Sequence, residues 1–297
     1  MSKSIVCYGE TLWDVLPSKT VPGGAPMNVA IRAQSLGLNA TIISRIGVGK
    51  LGVELMDYLQ KKQVDTSLLQ IDKKFPTGKV DVSLDANGVA EYDIKYPSAW
   101  DKIELSKKAI KKVKKSDAFI FGSLACRDTI SRETLFTLLE YAKFKVFDVN
   151  LRSSFFDVSL IEKLMKSSDL IKLNDEELDI LANSFGSKND DLYENVKFIH
   201  SKLQLKSICV TRGEEGAILF IDNLFYRNDG IIVDVVDTVG AGDSFLSALI
   251  FKLLSQNLHQ DTLNFACAVG TMVATKTGAN SKITTDEINS IIARFNS

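Results

Sequence analysis

Apolar and polar positions alternate along this chain with two different periods. Short apolar runs typical of buried strands are SIVCYG, ATIISRIG, DAFIFGSL, KVFDVN, DLIKLN, SICVTRG and GAILFID. Between them lie segments of helical period: NVAIRAQSLG, LGVELMDYLQKK, RETLFTLLEYAK, LIEKLMK and EELDILANSF. Strands that alternate with amphipathic helices predict a parallel β-sheet with helices on both faces, followed by a helical C-terminal part.

Two stretches interrupt this alternation. LWDVLP at 12–17, and TGKVDVSL with AEYDIKYP at 77–97, alternate apolar and polar residues without a helix between them. Such a pattern is typical of a sheet with one covered and one solvated face. We therefore predict a small, mostly antiparallel sheet that is discontinuous in sequence and attached to the main domain.

Composition narrows the class of protein. The chain has 297 residues, of which 45% are apolar and 25% charged, as expected for one large soluble α/β unit. A net charge of -1 gives no basic field for nucleic acid or anionic membranes. Four scattered cysteines without a C-x-x-C pair argue against zinc sites and disulfides. The N-terminal apolar run is too short for a signal peptide, so we expect a cytoplasmic protein.

The stretch IGVGKLG fits the dinucleotide pattern G-x-G-x-x-G. It follows a strand-like run and opens a helix, and Asp72 lies twenty residues beyond Gly52. An NAD-dependent oxidoreductase is therefore one interpretation. The pattern is weak by itself, because turns from strand to helix often use glycine. It does not match a phosphate-binding P-loop, since Leu51 follows Lys50 where Ser or Thr is required.

Other polar motifs stand where strands end or helices begin. GGAPMN indicates either a tight turn with Pro26 in the first helical turn, or a backbone that approaches a polar ligand with Asn28 bonding hydroxyls. Asn174 and Glu177 in LNDEEL have the spacing of a helix capping box. DVNLR and VTRGEEG also leave strands, and ligands of open α/β sheets bind beyond the carboxyl ends of strands.

The most informative motif is DTVGAGDSF, which precedes an apolar helix. Helix N-termini attract anions, and Gly240, Ala241 and Gly242 would let backbone approach a phosphate closely. Asp243 would repel a phosphate, but it suits a base that takes a proton from a hydroxyl while amides hold the developing charge. Asp243 as a simple helix cap is the alternative, and it does not explain the glycines.

GGAPMN, RIGVGKLG and DTVGAGDSF, in this order and spacing, resemble the ribokinase-like (PfkB-type) carbohydrate kinases over essentially the whole chain. The resemblance implies a three-layer α/β/α sandwich with a small β-sheet lid. It also implies a single kinase domain over 1–297, in which about residues 10–20 and 76–100 form the lid. It accounts for the G-x-G-x-x-G pattern without a dinucleotide. Members of this family transfer the γ-phosphoryl group of ATP to a sugar hydroxyl.

The resemblance also assigns roles to individual residues. Asp243 would be the general base, the amides of Ala241, Gly242 and Asp243 after Gly240 the anion hole, and Arg152 would reach the transferred phosphate. Asp14, Gly24 and Asn28 would bind the sugar. Asn174 and Glu177 would organise Mg²⁺ and phosphate indirectly, and Thr211 and Gly213 would line the ATP site. Asp237 and Val239 would offer oxygens to a monovalent cation such as K⁺. A homodimer through the lids is implied as well.

The motifs identify the type of reaction more closely than the sugar that is phosphorylated. GGAPMNVA, DVNLR and YPSAWD look most like fructokinases. A 2-keto-3-deoxygluconate kinase, a ribokinase, a nucleoside kinase, and a regulator that binds sugar or ATP without catalysis are the alternatives. One departure is Gly49, which stands where family members usually have Asp in G-x-D-x-x-G. That position supports a turn rather than the chemistry, so we expect a difference in the loop and not in the activity.

Overall fold

The computed structural model describes residues 2–17, 19–84, 90–152, 155 and 157–295. The chain divides into two compact units, Met1–Ala142 and Lys143–Ser297. Each unit contains strands and helices in alternation, so the predicted mixed α/β class is confirmed. Within the described residues, no helix has the length and apolar content needed to cross a membrane.

The first unit is built on parallel strands in the order β8-β1-β4-β5. Its elements are β1 (Ser4–Tyr8), β2 (Leu12–Val15), β3 (Thr20–Gly23), α1 (Ala25–Ser35), β4 (Asn39–Gly47), α2 (Lys50–Lys61), β5 (Asp65–Asp72), β6 (Gly78–Leu84), β7 (Ala90–Ile94), α3 (Lys107–Lys115), β8 (Ala118–Gly122) and α4 (Thr129–Leu139). Pairs β1–β4, β1–β8 and β4–β5 are parallel. All residues of β8, and all of β1 except Ser4, are buried, as expected for strands covered on both faces.

A second, four-stranded sheet in the first unit has the order β3-β2-β6-β7. The β2–β3 and β6–β7 pairs are antiparallel, and β2–β6 is parallel. The two stretches that interrupt the helical alternation thus meet in one small, mostly antiparallel sheet, as predicted. The strand β3 was not predicted, because TVPG is short and contains a proline. The assignment of this sheet as a lid stays a prediction.

The second unit continues the pattern with strands in the order β13-β12-β11-β10-β9. Its elements are β9 (Lys145–Asp148), α5 (Val158–Lys166), β10 (Leu170–Asn174), α6 (Asp175–Ser184), α7 (Leu192–Leu203), β11 (Ser207–Thr211), β12 (Ala217–Ile221), β13 (Leu224–Asn228), α8 (Ala241–Leu254), α9 (His259–Ala274) and α10 (Thr285–Phe295). The last three helices confirm the helical C-terminal part.

The direction of two strands departs from the predicted parallel sheet. β9, β10 and β11 are parallel, whereas β12 and β13 are antiparallel to their neighbours. Only residues 212–216 separate β11 from β12. A parallel return needs a crossover of about a dozen residues or more, so the short turn forces a hairpin.

A buried ion pair fixes the chain after β7 in the first unit. Arg127 Nε and Nη2 donate to Asp101 Oδ1 at 2.6 Å and Oδ2 at 2.8 Å, and both side chains are almost fully buried. Arg127 also donates to the carbonyl oxygens of Lys95 at 2.7 Å and Ile94 at 3.3 Å. Its guanidinium lies 4.0 Å from the centroid of the Trp100 ring. Arg127 therefore ties the end of the small sheet to the chain that precedes α3.

We expect Arg127→Ala to lower the free energy of unfolding by about 3–5 kcal/mol, because Asp101 would remain as a buried charge without its partner. Chemical denaturation followed by tryptophan fluorescence measures the loss. The matched control is Lys95→Ala, since the Lys95–Asp81 pair is nearly half exposed on both sides and such pairs contribute little. A loss no larger than that of the control would contradict the argument from burial.

Candidate active site

The start of α8 is formed by bare backbone. Gly240 is the N-cap with φ 77°, and the helix begins at Ala241. A β-carbon on Gly240 would lie 2.4 Å from the β-carbon and 2.5 Å from the α-carbon of Ala279, so no other residue fits without a shift. Asp243 lies inside the first turn rather than at the cap. The interpretation of Asp243 as the N-cap residue is therefore wrong.

The loop before α8 is held by the carboxylate of Asp237. Its Oδ1 accepts a hydrogen bond from the Val239 N–H at 3.0 Å, and its Oδ2 accepts one from the Gly278 N–H at 2.9 Å. The Asp237 N–H donates to the carbonyl of Ala274 at 3.2 Å. Oδ1 thus closes the loop on itself, and Oδ2 fixes it to the connection between α9 and α10. The oxygens predicted for a monovalent cation thus belong to a fixed loop, and that role stays a prediction.

The main-chain N–H groups of the first turn of α8 are the candidate anion-binding groups. The Ala241 N–H donates to the carbonyl of Thr238 at 3.2 Å, which closes the turn before the helix. Gly242 and Asp243 follow in the same first turn, where an α-helix provides no partner of its own and anions often bind. The predicted anion hole of three amides stays a prediction.

Asn174 and Glu177 form the capping box that their spacing predicts. Asn174 Oδ1 accepts from the Glu177 N–H at 2.7 Å, and Glu177 Oε2 accepts from the Asn174 N–H at 2.9 Å. Glu177 Oε1 accepts from the Leu151 N–H at 2.7 Å, which ties α6 to the DVNLR segment. Burial raises the pKa of Glu177, although these amides and Lys172 oppose the rise. Both carboxylate oxygens carry out this structural task.

The hydrogen bonds to Glu177 determine how this carboxylate could take part in binding Mg²⁺. Among the described residues, no group of three or more His, Cys, Asp or Glu side chains is arranged to hold a metal ion. Mg²⁺ usually keeps several waters and binds through one or two carboxylates together with substrate phosphates. Glu177 fits such an indirect role, in which water or phosphate lies between the carboxylate and the ion.

Three neighbouring strands of the second unit end in polar residues. Asn174 and Thr211 are partners in the β10–β11 register, and Lys172 faces Asp148 in the β9–β10 register. Gly213 has φ 56° and begins the turn after β11. The strand ends predicted to converge therefore lie at one edge of the sheet. Arg152 is exposed and its Nη1 donates to the carbonyl of Leu151 at 3.0 Å, so its contact with phosphate stays a prediction.

Lys172 is a site residue that sequence reasoning missed. Its Nζ lies 3.1 Å from Asp148 Oδ1, and both side chains are buried. Burial alone would lower the pKa of the Lys172 ammonium, but attraction to Asp148, Glu177 and Asp243 raises it above its usual value. The available signal was a lysine inside the apolar run LIKLN, since lysine is almost never fully buried without a partner.

In the first unit, the GGAPMN glycines permit close contacts of the backbone. A β-carbon on Gly23 would lie 2.1 Å from Asp14 Oδ2, and one on Gly24, with φ 114°, would lie 2.6 Å from the carbonyl oxygen of Glu10. Asn28 is buried, and its N–H donates to the Gly24 carbonyl at 2.9 Å. The three predicted sugar residues are thus brought to one place at the start of α1, where both the turn and an amide side chain are present.

The IGVGKLG glycines also have packing roles. A β-carbon on Gly52 would lie 2.0 Å from the carbonyl oxygen of Gly47, so α2 packs directly on the end of β4. Gly49 is the N-cap of α2 with φ 117°, where an aspartate would be strained. Asp72 is buried and accepts from the N–H groups of Lys74 at 2.6 Å and Phe75 at 2.8 Å. Asp72 therefore stabilises a turn.

Comparison with known proteins identifies the family. The model of the pfkB family of carbohydrate kinases matches residues 2–286. The chain belongs to the pfkB family. The resemblance seen in the sequence is confirmed, and the dinucleotide interpretation is no longer needed.

Relatives and solved structures agree with the assignment. Fructokinase-2 of Solanum lycopersicum is 30% identical, over 93% of this chain and 91% of that protein. The structure of a Xylella fastidiosa fructokinase with bound ATP has a TM-score of 0.88 at 23% identity and covers 100% of both chains. A Vibrio cholerae fructokinase solved with fructose, ADP and calcium has a TM-score of 0.83 at 23% identity, over 98% of this chain and 99% of that one. The ribokinase-like fold is confirmed.

We expect Gly240→Ala in this pfkB-family kinase to lower the free energy of unfolding by about 2–4 kcal/mol, because backbone strain and overpacking against Ala279 add together. Gly278→Ala is the matched control. Gly278 has φ 81° but open space around a β-carbon, so only the strain of about 1–2 kcal/mol applies. Chemical denaturation compares the two variants. Equal losses would mean that the contact with Ala279 does not constrain the start of α8.

Proposed function

We propose that this pfkB-family kinase is an ATP-dependent fructokinase, which transfers the γ-phosphoryl group of ATP to a hydroxyl of fructose. One observation carries the transfer reaction: Asp243 lies within the first turn of α8, directly after the bare backbone of Gly240–Gly242. A carboxylate and first-turn amides therefore occupy the same place. The names of relatives and the fructose and ADP in the Vibrio cholerae structure support fructose as the acceptor.

In the proposed mechanism, Asp243 takes the proton of the attacking hydroxyl, and the amides of Ala241, Gly242 and Asp243 hold charge that develops on the transferred phosphoryl group. Amides fixed before the reaction need no reorganisation, so they stabilise the transition state more than water does. Gly240 is needed because a side chain there would meet Ala279. Arg152 is exposed on the segment that Glu177 orders, from which it would contact the phosphate.

Nucleotide binding is assigned to the strand ends of the second unit. Asn174 and Thr211, adjacent in register, and Gly213 in the following turn would line the ATP site. Mg²⁺ would be held mainly by the ATP phosphates, with Glu177 acting through water, and it supplies neutralisation of phosphate charge. The main-chain carbonyls of Asp237 and Val239 would hold K⁺.

Sugar binding is assigned to Asp14, Gly24 and Asn28 in the first unit. Asn28 offers an amide beside a glycine turn, which suits hydroxyl groups, and Asp14 packs directly on that turn. The four-stranded sheet β3-β2-β6-β7 would be the lid of one kinase domain that spans 1–297. A cytoplasmic homodimer formed through the lids completes the proposal.

D-fructose with MgATP should release ADP faster than ribose, adenosine or 2-keto-3-deoxygluconate at equal concentration. The reason is the similarity to fructokinases, together with the hydroxyl-binding side chains assigned to the sugar. A coupled ADP assay measures all four rates. A clear preference for another acceptor would overturn fructose but not the kinase, and ADP release with none of these sugars would favour a regulator that binds without catalysis.

Asp243→Asn should lower kcat by about 10²–10⁴-fold, because an amide cannot accept the proton of the sugar. Both KM values should change little, since the first-turn amides and the residues assigned to sugar remain. The variant should stay folded with a melting temperature close to that of the parent, because Asp243 is not the N-cap residue of α8 and Lys172 keeps its ion pair with Asp148. The hypothesis of a general base fails if the variant folds like the parent and keeps kcat within about tenfold of it.

A further inference from the structure

A lysine in the interior of the second unit requires an explanation. Lys172 lies in the middle of β10, between Ile171 and Leu173, and its side chain is about one-tenth exposed. Burying an ammonium group is costly unless it is paired and hydrogen-bonded. Its ion pair with Asp148 at 3.1 Å supplies one partner. Replacing both residues by apolar ones is often neutral or stabilising in proteins, so stability alone does not account for the pair.

The ammonium also lies against the first turn of α8. A β-carbon on Gly242 would be 3.3 Å from Lys172 Nζ. The positive end of a helix dipole disfavours a cation in this place. The position becomes favourable because three carboxylates, Asp148, Glu177 and Asp243, attract the same ammonium. Each of them belongs to a different motif: DVNLR, LNDEEL and DTVGAGDSF.

We infer that Lys172 is a positioning residue for phosphoryl transfer, whose buried ammonium holds Asp243 and the first turn of α8 against the ends of β9 and β10. This inference rests on the proposed function, in which Asp243 is the base. The start of α8 has particular need of such a restraint, because its N-cap is a glycine that offers no side-chain hydrogen bond. An ammonium only donates hydrogen bonds, so Lys172 cannot cap the first N–H groups of α8; it restrains the turn through its attraction to the Asp243 carboxylate.

The alternative is that Lys172 only neutralises the buried carboxylate of Asp148 and does not act on Asp243. In that case Lys172 would matter for stability, and its loss would affect the parent and an Asp243 variant equally. A positioning residue that acts through Asp243 gives a different result. Once the Asp243 carboxylate is gone, removal of the ammonium has little left to misplace, so the two losses do not multiply.

The test compares Lys172→Met in the parent and in the Asp243→Asn background, with fructose and MgATP. In the parent we expect kcat to fall about 10–100-fold, as for a misplaced reacting group, with the KM for sugar within about threefold. In the Asp243→Asn background the further fall should be less than about threefold. Lys172→Arg, which keeps the charge, should recover most of the loss. Equal falls in both backgrounds would overturn the inference.

Lys206→Met is the matched control. Lys206 also pairs with an aspartate of the same unit, Asp169 at 2.5 Å, but it precedes β11 and is largely exposed. Thermal melts of all variants show whether a loss of kcat follows a loss of folding. If Lys172→Met does not fold, Lys172→Gln, which removes the charge but can still donate a hydrogen bond to Asp148, and its double variant with Asp243→Asn decide by the same comparison.

A second measurement does not depend on activity. Hydrogen–deuterium exchange of the peptide over 240–247 should be faster in Lys172→Met than in the parent or in Lys206→Met, because the first turn loses its restraint. Unchanged exchange would overturn the positioning role even if kcat fell. If the parent phosphorylates no sugar, the proposed function fails, while faster exchange would still support the restraint on α8.

Discussion

Much of the second unit depends on one constraint: the first turn of α8 must present backbone without side-chain interference. A glycine with positive φ begins the helix and packs on Ala279, so no capping side chain is available. The turn is therefore held from outside. Asp237 fixes the loop before it through two main-chain amides, and Lys172 lies beside Gly242. Each of these contacts comes from a different part of the sequence.

Glu177 shows how one side chain can organise two segments at the same edge of the sheet. Glu177 closes the capping box of α6 and bonds the Leu151 amide, so it orders two of the three motifs at the strand ends. Because both oxygens accept hydrogen bonds from amides, this carboxylate is held rigidly and is a poor direct ligand for a metal ion. In the proposed function, a water between the carboxylate and a phosphate-bound Mg²⁺ would therefore have a fixed partner.

Glycines explain why the IGVGKLG motif can be mistaken for a dinucleotide site. In IGVGKLG, Gly47 and Gly52 allow α2 to pack on the end of β4, and Gly49 adopts a φ that a larger residue would disfavour. These are requirements of a turn from strand to helix, whatever binds nearby. Asp72, which completes the dinucleotide pattern in the sequence, instead bonds the amides of the next turn and the Arg45 guanidinium. Spacing alone cannot distinguish these roles.

The sequence by itself determined the class of fold and the family. Periodicity located most strands and the helices between them, because burial of a sheet or a helix face imposes a local period on apolar residues. The motifs at strand ends named Asp243, Asn174 and Glu177, because their spacing is local. The strand β5 and the helix α7 were not predicted. DTSLLQID mixes polar and apolar residues without a clean period, whereas Leu192, Val196, Ile199 and Leu203 of α7 do have helical spacing, so that signal was available.

Only the tertiary structure decided which residues far apart in the chain form ion pairs or pack against each other. The pairing of Lys172 with Asp148, the approach of Lys172 to Gly242 and the contact of Gly240 with Ala279 join segments far apart in the chain. Local pattern carries no information about such partners, because the free energy of a buried charge depends on which carboxylates the fold brings within reach. The antiparallel pairing of β12 with β11 is different, because the short turn over 212–216 forces it locally.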